Sequence, residues 1–154
     1  MVKRSDTTHN APMQNTPPQS ESELLLRAEQ LTWRTLEDIA TEQRAQCPAD
    51  LRRHKGWIGQ LLEQVLGATA GSRALPDFPH LGIEMKTIPV APSGKPKEST
   101  YVCVAPLDGS MARQWEKSWV CHKLSAVLWI PIIVTPNCTV AERRIAPPLL
   151  WRPN

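Results

Sequence analysis

In the run Gly82-Ile83-Glu84-Met85-Lys86-Thr87-Ile88-Pro89-Val90, alternation of Ile83, Met85 and Thr87 against Glu84, Lys86 and Ile88 predicts a strand. A strand repeats its faces every two residues, so the Glu84 carboxylate and the Lys86 ammonium point to the same side. Asp77 lies seven residues before Glu84 and arrives from the preceding segment. Two carboxylates so placed can share a hard divalent cation through oxygen ligands, with the lysine beside a metal-bound water. Such a set of groups is suited to cutting phosphodiesters. The same spacing also describes a half-exposed strand whose surface Glu and Lys form a weak ion pair, and the pattern alone does not separate the two readings.

The element before that strand bears on the same question. Ile58, Leu61, Leu62, Val65 and Leu66 are spaced for one buried helical face, in a helix that begins near Lys55 and ends at Gly67. Glu63 falls beside this stripe, and Gly59, one turn earlier on the same flank, leaves room for a close neighbour. Glu63 is therefore either an ordinary boundary glutamate or a carboxylate that looks into a site.

Further elements are scaffold. Ser20 to Glu23 fits the Ser-x-x-Glu capping box ahead of Leu24, Leu25, Ala28 and Leu31, which predicts a first helix. Thr35 followed by Asp38 repeats the cap logic for a short second helix to about Gln43. Pro92-Ser93-Gly94-Lys95-Pro96 predicts a turn, and Thr100 to Ala105 a strand that closes a hairpin with the Glu84 strand. Trp115 to Leu124 reads as helical, and Ser125 to Val134 as an apolar strand buried on both faces. No confident element follows Pro136.

Length and composition set the bounds. A chain of 154 residues with 41% hydrophobic content can build one α/β core. Residues 1–19 are almost free of apolar side chains and read as a disordered tail before a domain over 20–154. No signal peptide is evident, and the longest apolar run, Ala126 to Val134, is broken by Pro131 and too short to span a bilayer, so a soluble cytoplasmic protein with no membrane partner is expected. Cys47, Cys103, Cys121 and Cys138 form no Cys-x-x-Cys pair, which argues for buried reduced thiols over a zinc or redox centre. A net charge of +3 permits contact with a polyanion without requiring it.

Three blocks in one order carry a resemblance: Lys55-Gly56-Trp57-Ile58-Gly59 with Leu61-Leu62-Glu63; Gly82 to Val90 preceded by Asp77; and His122-Lys123-Leu124 with Val127-Leu128-Trp129-Ile130-Pro131. They resemble the MutH DNA mismatch repair endonuclease family. Smaller matches support them, among them Gly67-Ala68 with Ala70-Gly71-Ser72 and Pro148-Leu149-Leu150-Trp151. The likeness runs from about Leu24 to Asn154.

The resemblance implies a restriction-endonuclease-like α/β fold, a central mixed sheet flanked by helices, that binds Mg²⁺ and nicks the unmethylated strand of double-stranded DNA at GATC sites. It matches Asp77 and Glu84 to metal-binding carboxylates, Glu63 to a helix glutamate completing that metal site, and Lys86 and Lys123 to active-site lysines. Lys55 and Tyr101 fall where family members touch DNA, the latter position being Phe in the familiar pattern. MutL is the implied activating partner, with MutS acting indirectly. Family members continue beyond the position of Asn154 through a portion that reads the bases, so the chain is expected to lack the C-terminal part of the family fold. That leaves two alternatives beside the nicking enzyme: a type II restriction endonuclease of related fold, or a catalytically compromised remnant. An apolar patch near Val127, Trp129 or Leu149 is expected to be exposed.

Overall fold

In a computed structural model describing residues 15–103, 108 and 114–153, the chain opens with two capped helices. Helix α1 (Glu21–Gln30) starts where the Ser20 hydroxyl accepts from the Glu23 amide at 3.1 Å, and the Glu23 carboxylate accepts from the Gln19 amide at 2.6 Å. These bonds satisfy donors that a helix start otherwise leaves open. Helix α2 (Leu36–Glu42) is capped in the same manner by Thr35. Helix α3 (Trp57–Leu66) begins after Gly56 and stops at Gly67, both in the left-handed region at φ 84° and 81°. At Gly67 the carbonyl of Thr16 comes so close that a Cβ would meet it at 2.6 Å, so glycine is required by contact as well as by backbone.

Strand β1 (Glu84–Val90) lies parallel to β2 (Val127–Ile133), with Glu84 opposite Val127 and Lys86 opposite Trp129. The connection between them contains a 3-10 turn at Trp115–Lys117 and helix α4 (Trp119–Leu124). The other edge of β2 is shared by two short antiparallel strands, β3 (Arg144–Ile145) against Ile132–Ile133 and β4 (Leu149–Trp151) against Val127–Trp129. They meet β2 on either side of Ile130 and Pro131, a gap consistent with a proline that has no N–H to offer. The result is a mixed four-stranded sheet flanked by helices, as expected for an α/β restriction-endonuclease-like fold.

Leu62, Leu66, Leu36 and Ile39 from the helices pack with Leu128, Ile130 and Ile132 of β2 in one core. Each such side chain contributes about 1.5–3 kcal/mol on burial. This core fixes α3 against β1, and so sets where Glu63 stands relative to the Glu84 face.

Several expectations need correction. Thr100–Cys103 forms no strand, and residues 104–105 lie outside the described set. After the turn the chain returns along β1 only as far as the Val90–Pro96 bridge and the Lys97 amide on the Pro89 carbonyl. Polar Glu98, Ser99 and Thr100 then offer no face to bury, and the neighbour of β1 is the distant, apolar β2. β2 is not closed on both faces: Leu128, Ile130 and Ile132 are buried while Trp129, Pro131 and Ile133 are partly open. Of the three positions named for an exposed apolar patch, Val127 is fully buried, Trp129 is partly open and Leu149 is 59% exposed. The tail holds two short strands that its Pro and Arg content hid.

The segment 1–14 of the expected disordered tail lies outside the described residues, while Thr16 and Pro18 hydrogen-bond to Arg27 and His80. Among the described residues no helix is long and apolar enough to cross a membrane.

Candidate active site

Asp77 enters the site from a folded loop. Its carbonyl accepts from the amides of Thr69 and Ala70 at 3.0 and 3.4 Å, and Arg73 bonds the carbonyls of the same two residues. Its side chain is aimed by the strand itself, since Oδ2 accepts from the Met85 amide at 2.9 Å. Met85 is the residue between Glu84 and Lys86, so one strand presents two charged groups on a face and anchors a third through its backbone.

Glu84 is 8% exposed, and its Oε1 lies 3.5 Å from the Lys86 Nζ. The period-two reading is thus realised as a direct ion pair, both side chains being largely enclosed. Glu84 Oε2 is buried without a hydrogen-bond partner among the described residues. An orphaned buried carboxylate oxygen is costly unless a donor or cation meets it.

Electrostatics draws the remaining groups into the same cluster. Burial, then the charges of Asp77 and Glu84, push the Glu63 carboxyl up to about 7, with Lys86 opposing. Burial also raises Asp77, against the Met85 amide and the charges of Lys86 and Lys123. Glu84 is raised by burial and by Asp77, with Lys123 and Lys86 pulling the other way. Lys123 reaches the cluster from the last turn of α4, which starts at a Ser118 cap and runs directly into β2. Glu63 on α3 therefore stands within electrostatic reach of Asp77, Glu84 and Lys86, and Lys123 on α4 within reach of Asp77 and Glu84.

Among the described residues no three His, Cys, Asp or Glu side chains are gathered tightly enough to enclose a cation. Lys86 instead supplies the positive charge closest to Glu84. The donor chemistry nevertheless fits a hard divalent ion: Asp77 and Glu84 offer oxygen ligands, one buried oxygen is unpartnered, and three carboxyls are raised chiefly by burial, Glu63 and Glu84 also by their acidic neighbours. Such a site can bind a cation and a phosphate beside it and can polarise water.

Lys55 and Tyr101 lie outside this cluster. Lys55 is exposed just before α3, and Tyr101 is 69% exposed. Sequence reading missed the Met85 amide, because backbone donors carry no residue-type signal. It also missed the contribution of Thr69, Ala70 and Arg73 to the Asp77 loop, for which the short spacing to Asp77 is the only hint.

Comparison with known proteins gives a consistent picture. Residues 66–154 match the family model described as DNA mismatch repair enzyme MutH. Among curated relatives, the DNA mismatch repair protein MutH of Serratia proteamaculans is 53% identical over 138 residues, covering 90% of this chain and 60% of that protein. Those of Shewanella baltica and Yersinia pestis are each 51% identical over 138 residues, covering 90% of this chain and 62% and 60% of their own lengths. The chain spans about three-fifths of the length of these relatives.

Proposed function

From the premise that this chain belongs to the MutH family of DNA mismatch repair enzymes, we propose that its clustered carboxylates and lysines form the cleaving centre of a mismatch repair endonuclease. The observation that carries this reading is the Lys86–Glu84 pair on the face of β1 with Asp77 pinned to the amide between them. A surface ion pair would leave both groups solvated, whereas here they are enclosed beside two further carboxyls, Glu63 and Asp77, and the ammonium of Lys123.

Asp77 and Glu84 would hold Mg²⁺, with Glu63 completing the acidic set. Bound there, the ion supplies charge neutralisation at a non-bridging phosphate oxygen and a more acidic water. The chain's own groups account for the rest. Lys86 Nζ donates to the attacking water or to the phosphoryl oxygens as negative charge builds on them. Lys123 adds a second ammonium near the scissile group. The Met85 amide holds Asp77 in one orientation, which keeps the geometry from being reset at each turnover.

The finer features of the reading draw their support from the family resemblance: nicking of the unmethylated strand at GATC, activation by MutL with MutS acting indirectly, DNA contacts through Lys55 and Tyr101, and work in the cytoplasm. Incubation of supercoiled plasmid with Mg²⁺ tests the reaction class. Open circles are expected. Linear product would favour a double-strand restriction enzyme, and absence of product with every divalent ion and with MutL added would favour the inactive remnant.

A further inference from the structure

A second feature lies one helical turn from Glu63. At the N-terminus of α3 an open groove of about 660 Å³ runs between that helix and the C-terminal ends of β1 and β2. Clefts at the carboxyl ends of parallel strands are common ligand sites in α/β sheets. The floor is apolar, with Ile58 and Ile132, but the rim carries Lys55, Lys97 and Arg143 against the single carboxylate of Glu98. None of these three cations has a side-chain ion pair or hydrogen bond among the described residues, and Arg143 Nε is buried without a partner. Helix α3 starts at Gly56 with no side-chain cap, its Trp57 amide bonded to the His54 carbonyl at 3.1 Å. Gly59 lines the wall, and nothing stands within 4 Å of where its Cβ would be.

Lys55 and Lys97 are exposed, and with the buried orphan donor of Arg143 and the positive end of α3 they favour negative charge in the groove. Gly59 and Glu63 are one turn apart on the same flank, about 6 Å along the helix axis. A nucleic-acid strand advances about 3.4 Å per nucleotide along a duplex axis. The geometry points to a backbone-phosphate clamp in this groove, in which Lys97 and Arg143, with Lys55, grip DNA to one side of the phosphate that is cut. This rests on the nuclease reading and extends it to two residues from segments distant in sequence, the turn after β1 and the residue just before β3.

The test is anisotropy of a short fluorescein-labelled DNA duplex, titrated with the full chain in EDTA at a series of salt concentrations, alongside Mg²⁺-dependent plasmid nicking. Lys97→Gln and Arg143→Gln should each weaken binding several-fold and lower the slope of log affinity against log salt by about one. Arg143→Lys, which keeps the charge, should restore most of the slope and separates a lost contact from a lost fold. Unchanged slopes in both Gln variants, with wild-type binding and nicking intact, would overturn the clamp and leave the nuclease reading standing. Failure of the wild-type chain to bind any duplex would overturn both. A loss confined to binding of inorganic phosphate, with duplex affinity unaltered, would make the groove a small-anion site and overturn the proposal as well.

Discussion

The backbone amide of Met85 donates a 2.9 Å hydrogen bond to Oδ2 of Asp77, so the strand that presents Glu84 and Lys86 also aims the carboxylate opposite them. The three groups are coupled to one rigid element, held in turn by the parallel pairing with β2. Disturbing that element should therefore disturb chemistry and stability together.

Phe78 tests this coupling. It is fully buried, follows Asp77 directly, and exchanges backbone hydrogen bonds with Ile83 at 3.0 and 3.3 Å. Phe78→Ala should destabilise the fold by about 3–5 kcal/mol, read as a lower urea midpoint. Under conditions where the variant is still folded, cleavage should also fall, because the loop carrying Asp77 loses its anchor. A variant with normal stability would contradict the packing described.

Glu63 gives a pH-dependent prediction. Its carboxyl is held up at about 7 in the fold, against an ordinary value of 4.5. Between these values the folded chain keeps a proton that the unfolded chain has released. Stability without divalent cations should then fall as pH rises from 4.5 to 7, with the penalty fully present above 7. Glu63→Gln should flatten this profile and raise the thermal midpoint at pH 8, by a free energy on the order of 1–3 kcal/mol after allowing for partial exposure. Mg²⁺ should raise the wild-type midpoint more than that of the variant. Superimposable pH profiles for the two proteins, measured by scanning calorimetry in EDTA, would contradict the crowding of these carboxylates.

Lys86 should matter to the reaction more than to the fold. Lys86→Met keeps the aliphatic length and removes the ammonium 3.5 Å from Glu84. Single-turnover cleavage should drop by about 10²–10³-fold, the scale of losing one electrostatic stabiliser at a reacting centre. Circular dichroism should stay unchanged. A variant that cleaves at the wild-type rate would leave Lys86 as a mere counter-ion to Glu84.

Much of the site was legible because its signals are local. Period two places Glu84 and Lys86 together, and the Ser20 and Thr35 caps announce α1 and α2 within four residues. The stripe of α3 puts Glu63 at the rim of the buried face, where the carboxylates of Asp77 and Glu84 reach it. What failed depends on long-range pairing. β1 looked like half of a hairpin because Tyr101, Val102 and Cys103 favour strands, yet its register is set by β2, more than thirty residues away along the chain. β3 and β4 exist only because β2 offers an edge, and Trp33, at φ 69°, is held by its amide on the Ile145 carbonyl at 2.7 Å. Nothing in the local sequence encodes those contacts. The groove at α3 was hidden for the same reason, since Arg143 and Lys97 meet Lys55 only in the folded chain.

The most direct test is a comparison of wild type with Asp77→Asn in Mg²⁺-dependent cleavage of duplex DNA. The substitution keeps a side-chain oxygen that can accept from the Met85 amide while removing the charge that would hold the ion. With folding verified by an unchanged thermal midpoint in EDTA, strand cleavage should fall by at least about 100-fold, as several kcal/mol of metal-borne charge stabilisation is lost. Cleavage by Asp77→Asn at the wild-type rate would show that DNA is cut somewhere other than at this cluster.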